Sequence, residues 1–223
     1  MRKLALALMV VTLPASAGML DKSDYDASRF LPPPPAEDSA RTKAELEELK
    51  AYAASSTAAQ KAAATADAKD ETPDIFNGAI GFDIATTPQT QKLLQIVVEE
   101  EDGDTKDAKA FFHRYRPYAV LPELHACTPT KPGKAANANS YPSGHATLAF
   151  SMGVVLAQLM PDKAQAILAR SAQYAENRLI CGVHYRSDIV AGQQFGTVLA
   201  LKLMQKPAFQ QQMAAAQAEL KNH

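Results

Sequence analysis

An all-α fold in a single domain is what this sequence predicts, and three observations predict it. Strand signals are scarce, because β-branched residues are few and apolar–polar alternation is never sustained. Ser39 to Lys50 strings together strong helix formers with acid–base pairs at helical spacing. The apolar stretch from Ala146 to Met160 follows Ser143, a good N-cap residue. At 223 residues and 47% hydrophobic, the chain has enough apolar material for one core. Its formal charge of -1 leaves no basic stripe for a nucleic-acid backbone.

Met1-Arg2-Lys3, the apolar run Leu4 to Leu13 and Pro14-Ala15-Ser16-Ala17 form the three parts of a secretory signal peptide, residues 1–17. The run is shorter than the roughly 20 apolar residues a bilayer span needs. No cysteine follows to carry a lipid anchor. Cleavage after Ala17 is expected to remove Arg2 and Lys3. That leaves 206 residues, with 21 basic against 24 acidic side chains and a net charge of -3.

Residues 18–38 read as irregular, with Pro32 to Pro35 extended. Residues 39–223 form the helical domain. Its Ala-rich start, to about Lys69, reads as one or two packed helices without a sustained heptad. Further helices are expected at Thr90–Glu99, Thr105–His113, His145–Met160, Asp162–Asn177, Ser187–Met204 and Ala208–Lys221. Ala146 to Met160 is fifteen residues long and interrupted by Thr147, Ser151, Gly153 and Gln158, which suits a buried helix better than a membrane span. A soluble exported protein is expected. Cys127 and Cys181 are too few for a disulfide scaffold or a Cys-rich zinc site. In an oxidising compartment they pair; otherwise they are two buried thiols.

Three segments concentrate basic residues and histidines. In the first, Lys109 and Arg116 stand seven apart, two helical turns and one face, ahead of Pro117. They suit an anion, or are solvated surface charge. In the second, Ser143-Gly144-His145 opens a helix whose first N–H groups and dipole favour anions. Gly144 admits a ligand to the backbone. Alone, this is equally a well-capped helix with a surface histidine. In the third, Arg178 precedes an apolar run, and His184 and Asp188 have i, i+4 spacing. A carboxylate on one ring nitrogen fixes the tautomer and frees the other as nucleophile or base, or the two make a structural pair.

Lys-x6-Arg-Pro, then Pro-Ser-Gly-His, then Arg-x5-His-x3-Asp closely resembles the three-part signature of the phosphatidic-acid-phosphatase/vanadium-haloperoxidase superfamily, and within it the bacterial class A non-specific acid phosphatases. The motifs extend from Lys109 to Asp188, and the similarity from about Asp70 to Lys202. The resemblance implies an all-α bundle of that type and a periplasmic, metal-independent acid phosphatase without a cofactor. It makes His184 the nucleophile that forms a phosphohistidine, Asp188 its orienting partner and His145 the acid and base. Lys109, Arg116, Arg178, Ser143 and Gly144 bind the phosphate. Small phosphomonoesters are the expected substrates, with phosphate and vanadate as inhibitors, transfer to alcohols as a second outcome, and a homo-oligomer in keeping with the family.

The sequence departs from the family pattern at Asn139, Ala146 and Asn177, where Gly, Thr and Ser are usual. His113 could edge the pocket; His125 and His223 have no assigned role. A vanadate-dependent haloperoxidase is the first rival, disfavoured by the chain's shortness. A multi-spanning lipid phosphatase is disfavoured by the lack of spans, and a non-catalytic phosphate-binding protein by the intact His184 and Asp188. No His-Glu-x-x-His, cysteine cluster, calcium loop or Walker loop is present.

Overall fold

The computed structural model describes residues 18–221, so the stretch read as a signal peptide and the terminal His223 lie outside the described residues. Among those residues the regular structure is entirely helical. Helix α1 (Ala40–Ser55) starts where the Ser39 hydroxyl accepts the Thr42 N–H, and α2 (Ala58–Asp67) starts at a capping box of Thr57 and Gln60. The Ala-rich stretch is therefore two helices.

Helix α3 (Pro88–Phe112) replaces the two shorter helices expected at Thr90–Glu99 and Thr105–His113. Gly103 in a helix interior costs about 1 kcal/mol relative to alanine. Its own side faces open space, while the buried face runs past it through Leu93, Leu94, Val97, Glu101, Asp104, Thr105 and Ala108. Packing on that face outweighs the local penalty.

Helix α4 (Gly144–Leu159) is apolar around its whole circumference because it is central. It packs against α6 (Arg186–Met204) most extensively, then α5 (Ala164–Ile180) and α3; α7 (Pro207–Leu220) packs on α3. Gly192 and Gly196 set the α4–α6 distance. A Cβ at Gly196 would sit 2.3 Å from the Thr147 carbonyl oxygen, and one at Gly192 would sit 2.7 Å from the Ala146 Cβ. This approach brings the N-terminal ends of α4 and α6 together, where the second and third motifs lie.

Residues 18–38 wrap the bundle through two one-turn helices, Lys22–Tyr25 and Ala27–Phe30, and an extended Pro32–Pro35. Leu20, Ala27 and Leu31 are buried in the same core as α3, α4 and α6. The Tyr141 hydroxyl donates to the Pro32 carbonyl at 2.7 Å. Cys127 and Cys181 form a disulfide across 54 residues, which decides between the two states the sequence left open. Closing a loop of that length restricts the unfolded chain, so Cys127→Ser/Cys181→Ser is expected to lose about 4 kcal/mol in urea unfolding. A loss below about 1 kcal/mol would show that the bridge does not constrain the unfolded state.

Candidate active site

Lys109 sits in the last turn of α3, above Thr105 and Glu101 on the same face. Arg116 does not share that helix face as the spacing suggested. Helix α3 stops at His113, whose left-handed backbone (φ 51°) turns the chain away, and Arg116 arrives from the loop that follows. Loop contacts hold it: its N–H donates to the Asn137 carbonyl (2.9 Å) and its Nε to Asn139 Oδ1 (3.0 Å). The Asn139 that departs from the family pattern thus orients this guanidinium.

Ser143 caps α4, its buried hydroxyl accepting the Ala146 N–H at 3.4 Å. It does not line the cavity, whereas Gly144 does. A methyl group at Gly144 would meet Lys109 Nζ at 3.2 Å, so the glycine keeps the first turn of α4 open to a ligand. Ala146 fits beneath Gly192, and Asn177 donates to Asp67 Oδ2 at 2.7 Å.

His184 and Asp188 are not joined by a helix between them. His184 lies in the turn before α6, and Asp188 is the third residue of that helix, where its Oδ2 accepts the Tyr185 N–H (2.9 Å). The same oxygen lies 3.2 Å from His184 Nδ1 and accepts from the Ser140 hydroxyl (2.6 Å), while Oδ1 accepts from Arg114 (2.6 Å). Arg116 Nη1 is 2.8 Å from His184 Nε2 and also donates to the Val183 carbonyl (2.9 Å). A guanidinium can only donate, so Nε2 is the unprotonated nitrogen and the ring proton sits on Nδ1, facing Asp188.

Lys109, Arg116, Gly144, His145, Arg178 and His184 line one cavity of about 380 Å³, with Asp188 behind His184 and outside it. Its electrostatics are those of an anion site. Burial and the nearby Arg116 lower Lys109 to about 8, and the same two causes lower Arg178 to about 10. Burial also lowers Arg116. Arg178 Nε and His145 Nε2 are buried and meet no hydrogen-bond partner among the described residues. Burial, then the surrounding cations, hold both His184 and His145 well below the usual histidine value. Burial raises Asp188, against Arg114, Ser140 and the Tyr185 N–H.

The motif reading overlooked three residues. Arg114, two positions before Arg116, is buried and bridges Asp188, Ser187 Oγ (2.6 Å) and Glu45 (3.0 Å), with its guanidinium 3.9 Å above the Tyr185 ring. Glu45, from α1, also accepts the Ser187 N–H and hydroxyl. Glu71 lies 3.1 Å from His145 Nδ1. His113 is exposed and lines a separate cleft beside Arg114.

The model of the PAP2 superfamily matches residues 93–211, a span that contains every motif residue from Lys109 to Asp188. The chain belongs to the PAP2 superfamily. Within this superfamily it groups with the class A acid phosphatases. It is 34% identical to a non-specific acid phosphatase of Salmonella typhi over 86% of this chain and 78% of that one. It is 29% identical to another from Providencia stuartii over 94% and 87%. In fold it is similar to a transmembrane PAP2-type phosphatidylglycerolphosphate phosphatase from Bacillus subtilis, with TM-score 0.54 and 16% identity over 74% of this chain and 85% of that one. Among the described residues of the present PAP2 chain, no helix is long and apolar enough to cross a membrane.

Proposed function

We propose that this PAP2 chain is an exported, metal-independent acid phosphatase that hydrolyses small phosphate monoesters through a phosphohistidine at His184. The observation that carries this is the His184 geometry: Nδ1 faces Asp188, and the unprotonated Nε2 borders a cavity with Lys109, Arg116 and Arg178, its lone pair held by Arg116 until a phosphate draws that guanidinium away. Phosphoryl transfer spreads charge over three oxygens, which these cations and the α4 N-terminus stabilise without further positive charge.

Nε2 attacks phosphorus as the bond to the alcohol oxygen breaks, and the departing oxygen takes a proton from His145. Neutral His145 then removes a proton from the water that attacks phosphorus. The P–N bond breaks, releasing phosphate and restoring both histidines. An alcohol in place of water gives phosphotransfer. The free site holds His145 neutral, so the negative charge of the bound ester, with Glu71 on Nδ1, has to raise its basicity in the complex. The basic head, apolar run and Ala-Ser-Ala of residues 1–17, with the Cys127–Cys181 bridge, support export to an oxidising periplasm.

The test is steady-state hydrolysis with EDTA present, using aryl and alkyl phosphates of graded leaving-group basicity. EDTA is expected to leave turnover unchanged, and vanadate to inhibit competitively without supporting halide oxidation. His145→Ala is expected to lower kcat/KM, which reports the phosphorylation step alone, by roughly 100-fold or more on alkyl phosphates and much less on nitrophenyl phosphate, whose leaving group needs no proton. An equal loss on both would remove His145 as the acid, and a loss of activity in EDTA would remove the metal-independent mechanism.

A further inference from the structure

We infer that Glu100 is the receptor for the α-ammonium group that cleavage after Ala17 creates on Gly18. The inference rests on the export proposed above. Glu100 lies on α3 to one side of the Glu101–Thr105–Lys109 row, where the N-terminal segment meets the helix. Its two oxygens accept the backbone N–H groups of Met19 and Leu20, the second at 3.3 Å. Gly18 packs directly on the same carboxylate, for a Cβ there would lie 2.9 Å from both oxygens. The α-nitrogen is bonded to the same Cα, so it lies within roughly 5 Å of both. In the precursor that nitrogen is a neutral amide; after cleavage it is an ammonium beside a carboxylate.

A second observation shows that this surface is short of positive charge. Asp104, one turn beyond Glu100, is 4% exposed, and its Oδ2 meets no hydrogen-bond partner among the described residues. Burial, then Glu100 and other carboxylates, push it up to about 8. The charged groups that interact with Glu100 and with one another on this surface are Asp104 and Asp107 from α3, Lys22 and Asp24 from the following turn, Lys202 near the end of α6 and Lys206 just beyond it. Lys22 is engaged with Asp107 (3.3 Å) and Lys206 with Asp24 (2.5 Å). Lys202 also pairs with Asp24 (3.9 Å), and Lys206 meets Glu100 only beyond ion-pair distance, so an ammonium at Gly18 is the cation placed to pair directly with Glu100. Processing then pins the N-terminal segment to the helix that presents Lys109.

The test compares full mature protein beginning at a free Gly18, released from a cleavable fusion, with the same protein acetylated on that nitrogen, each with and without Glu100→Gln. The α-amine is titrated by reductive methylation, read by mass spectrometry of the N-terminal peptide. Its pKa is expected about one unit above the ordinary 7.7–8.0, and to return to that range in Glu100→Gln. A raised folded pKa stabilises below the unfolded value. The free amine should therefore melt about 1–3 °C above the acetylated form at pH 7, an advantage that disappears as pH rises from 8 through 9. An ordinary pKa insensitive to Glu100→Gln, or identical melting of free and acetylated forms, would overturn the ion pair while leaving export intact. The mass of the exported protein tests the other half: a mature terminus other than Gly18 overturns the proposal at its source.

Discussion

Replacing His184 by alanine is expected to lower kcat on every phosphomonoester by about four orders of magnitude or more, while phosphate still binds. Removing the nucleophile of an interdependent catalytic unit closes the covalent route, and what remains comes from binding and electrostatics. Lys109, Arg116 and Arg178 all remain in the variant, so phosphate should still raise its melting temperature. That separates lost chemistry from lost folding. Turnover within about tenfold of the parent would end the phosphohistidine mechanism. The same residue sets the pH profile. Burial and the three cations hold His184 well below the usual histidine value, so it stays unprotonated and nucleophilic on the acidic side of neutrality. The acidic limb of kcat/KM should therefore lie well below pH 6.5. The sign for stability is the reverse of a favourable one. The unfolded chain binds protons at these histidines that the folded chain refuses, so free-enzyme stability falls as pH drops below about 6.5.

The largest expected effect on folding is at Arg114. Arg114→Ala leaves Asp188 and Glu45 as buried carboxylates without their shared cation, and should cost about 3–5 kcal/mol in urea unfolding. It also releases the Oδ1 side of Asp188, so kcat should fall in the fraction that remains folded. Adding Glu45→Gln to Arg114→Ala removes one of the stranded charges and should recover part of the stability, a coupling that a double-mutant cycle measures. A loss under about 1 kcal/mol, or strict additivity of the two changes, would mean that the buried network is not held together by Arg114.

Most of the helices, the cap of α4 and the residues that line the cavity were legible from local pattern. Ser143 capping α4 and the ordered motifs from Lys109 to Asp188 depend on neighbours a few residues apart, and such relations are written in the chain. Where local and long-range forces compete, the local reading failed. Gly103 signals a helix break, yet α3 runs through it because the buried face is continuous on both sides. Lys109 and Arg116 have the spacing of one helix face, yet the left-handed turn at His113 delivers Arg116 from a loop.

By itself the sequence determined the fold class, the superfamily and most of the residues gathered in the one cavity, because each depends on residue type and short spacing. Only the tertiary structure decided which nitrogen of His184 is unprotonated, since that depends on Arg116 and Asp188 meeting different nitrogens of the ring. It likewise decided that Arg114, Glu45 and Glu71 belong to the site. Glu45 is 69 residues from Arg114 and 142 from Ser187 along the chain, and a hydrogen bond over such a separation has no periodicity to betray it.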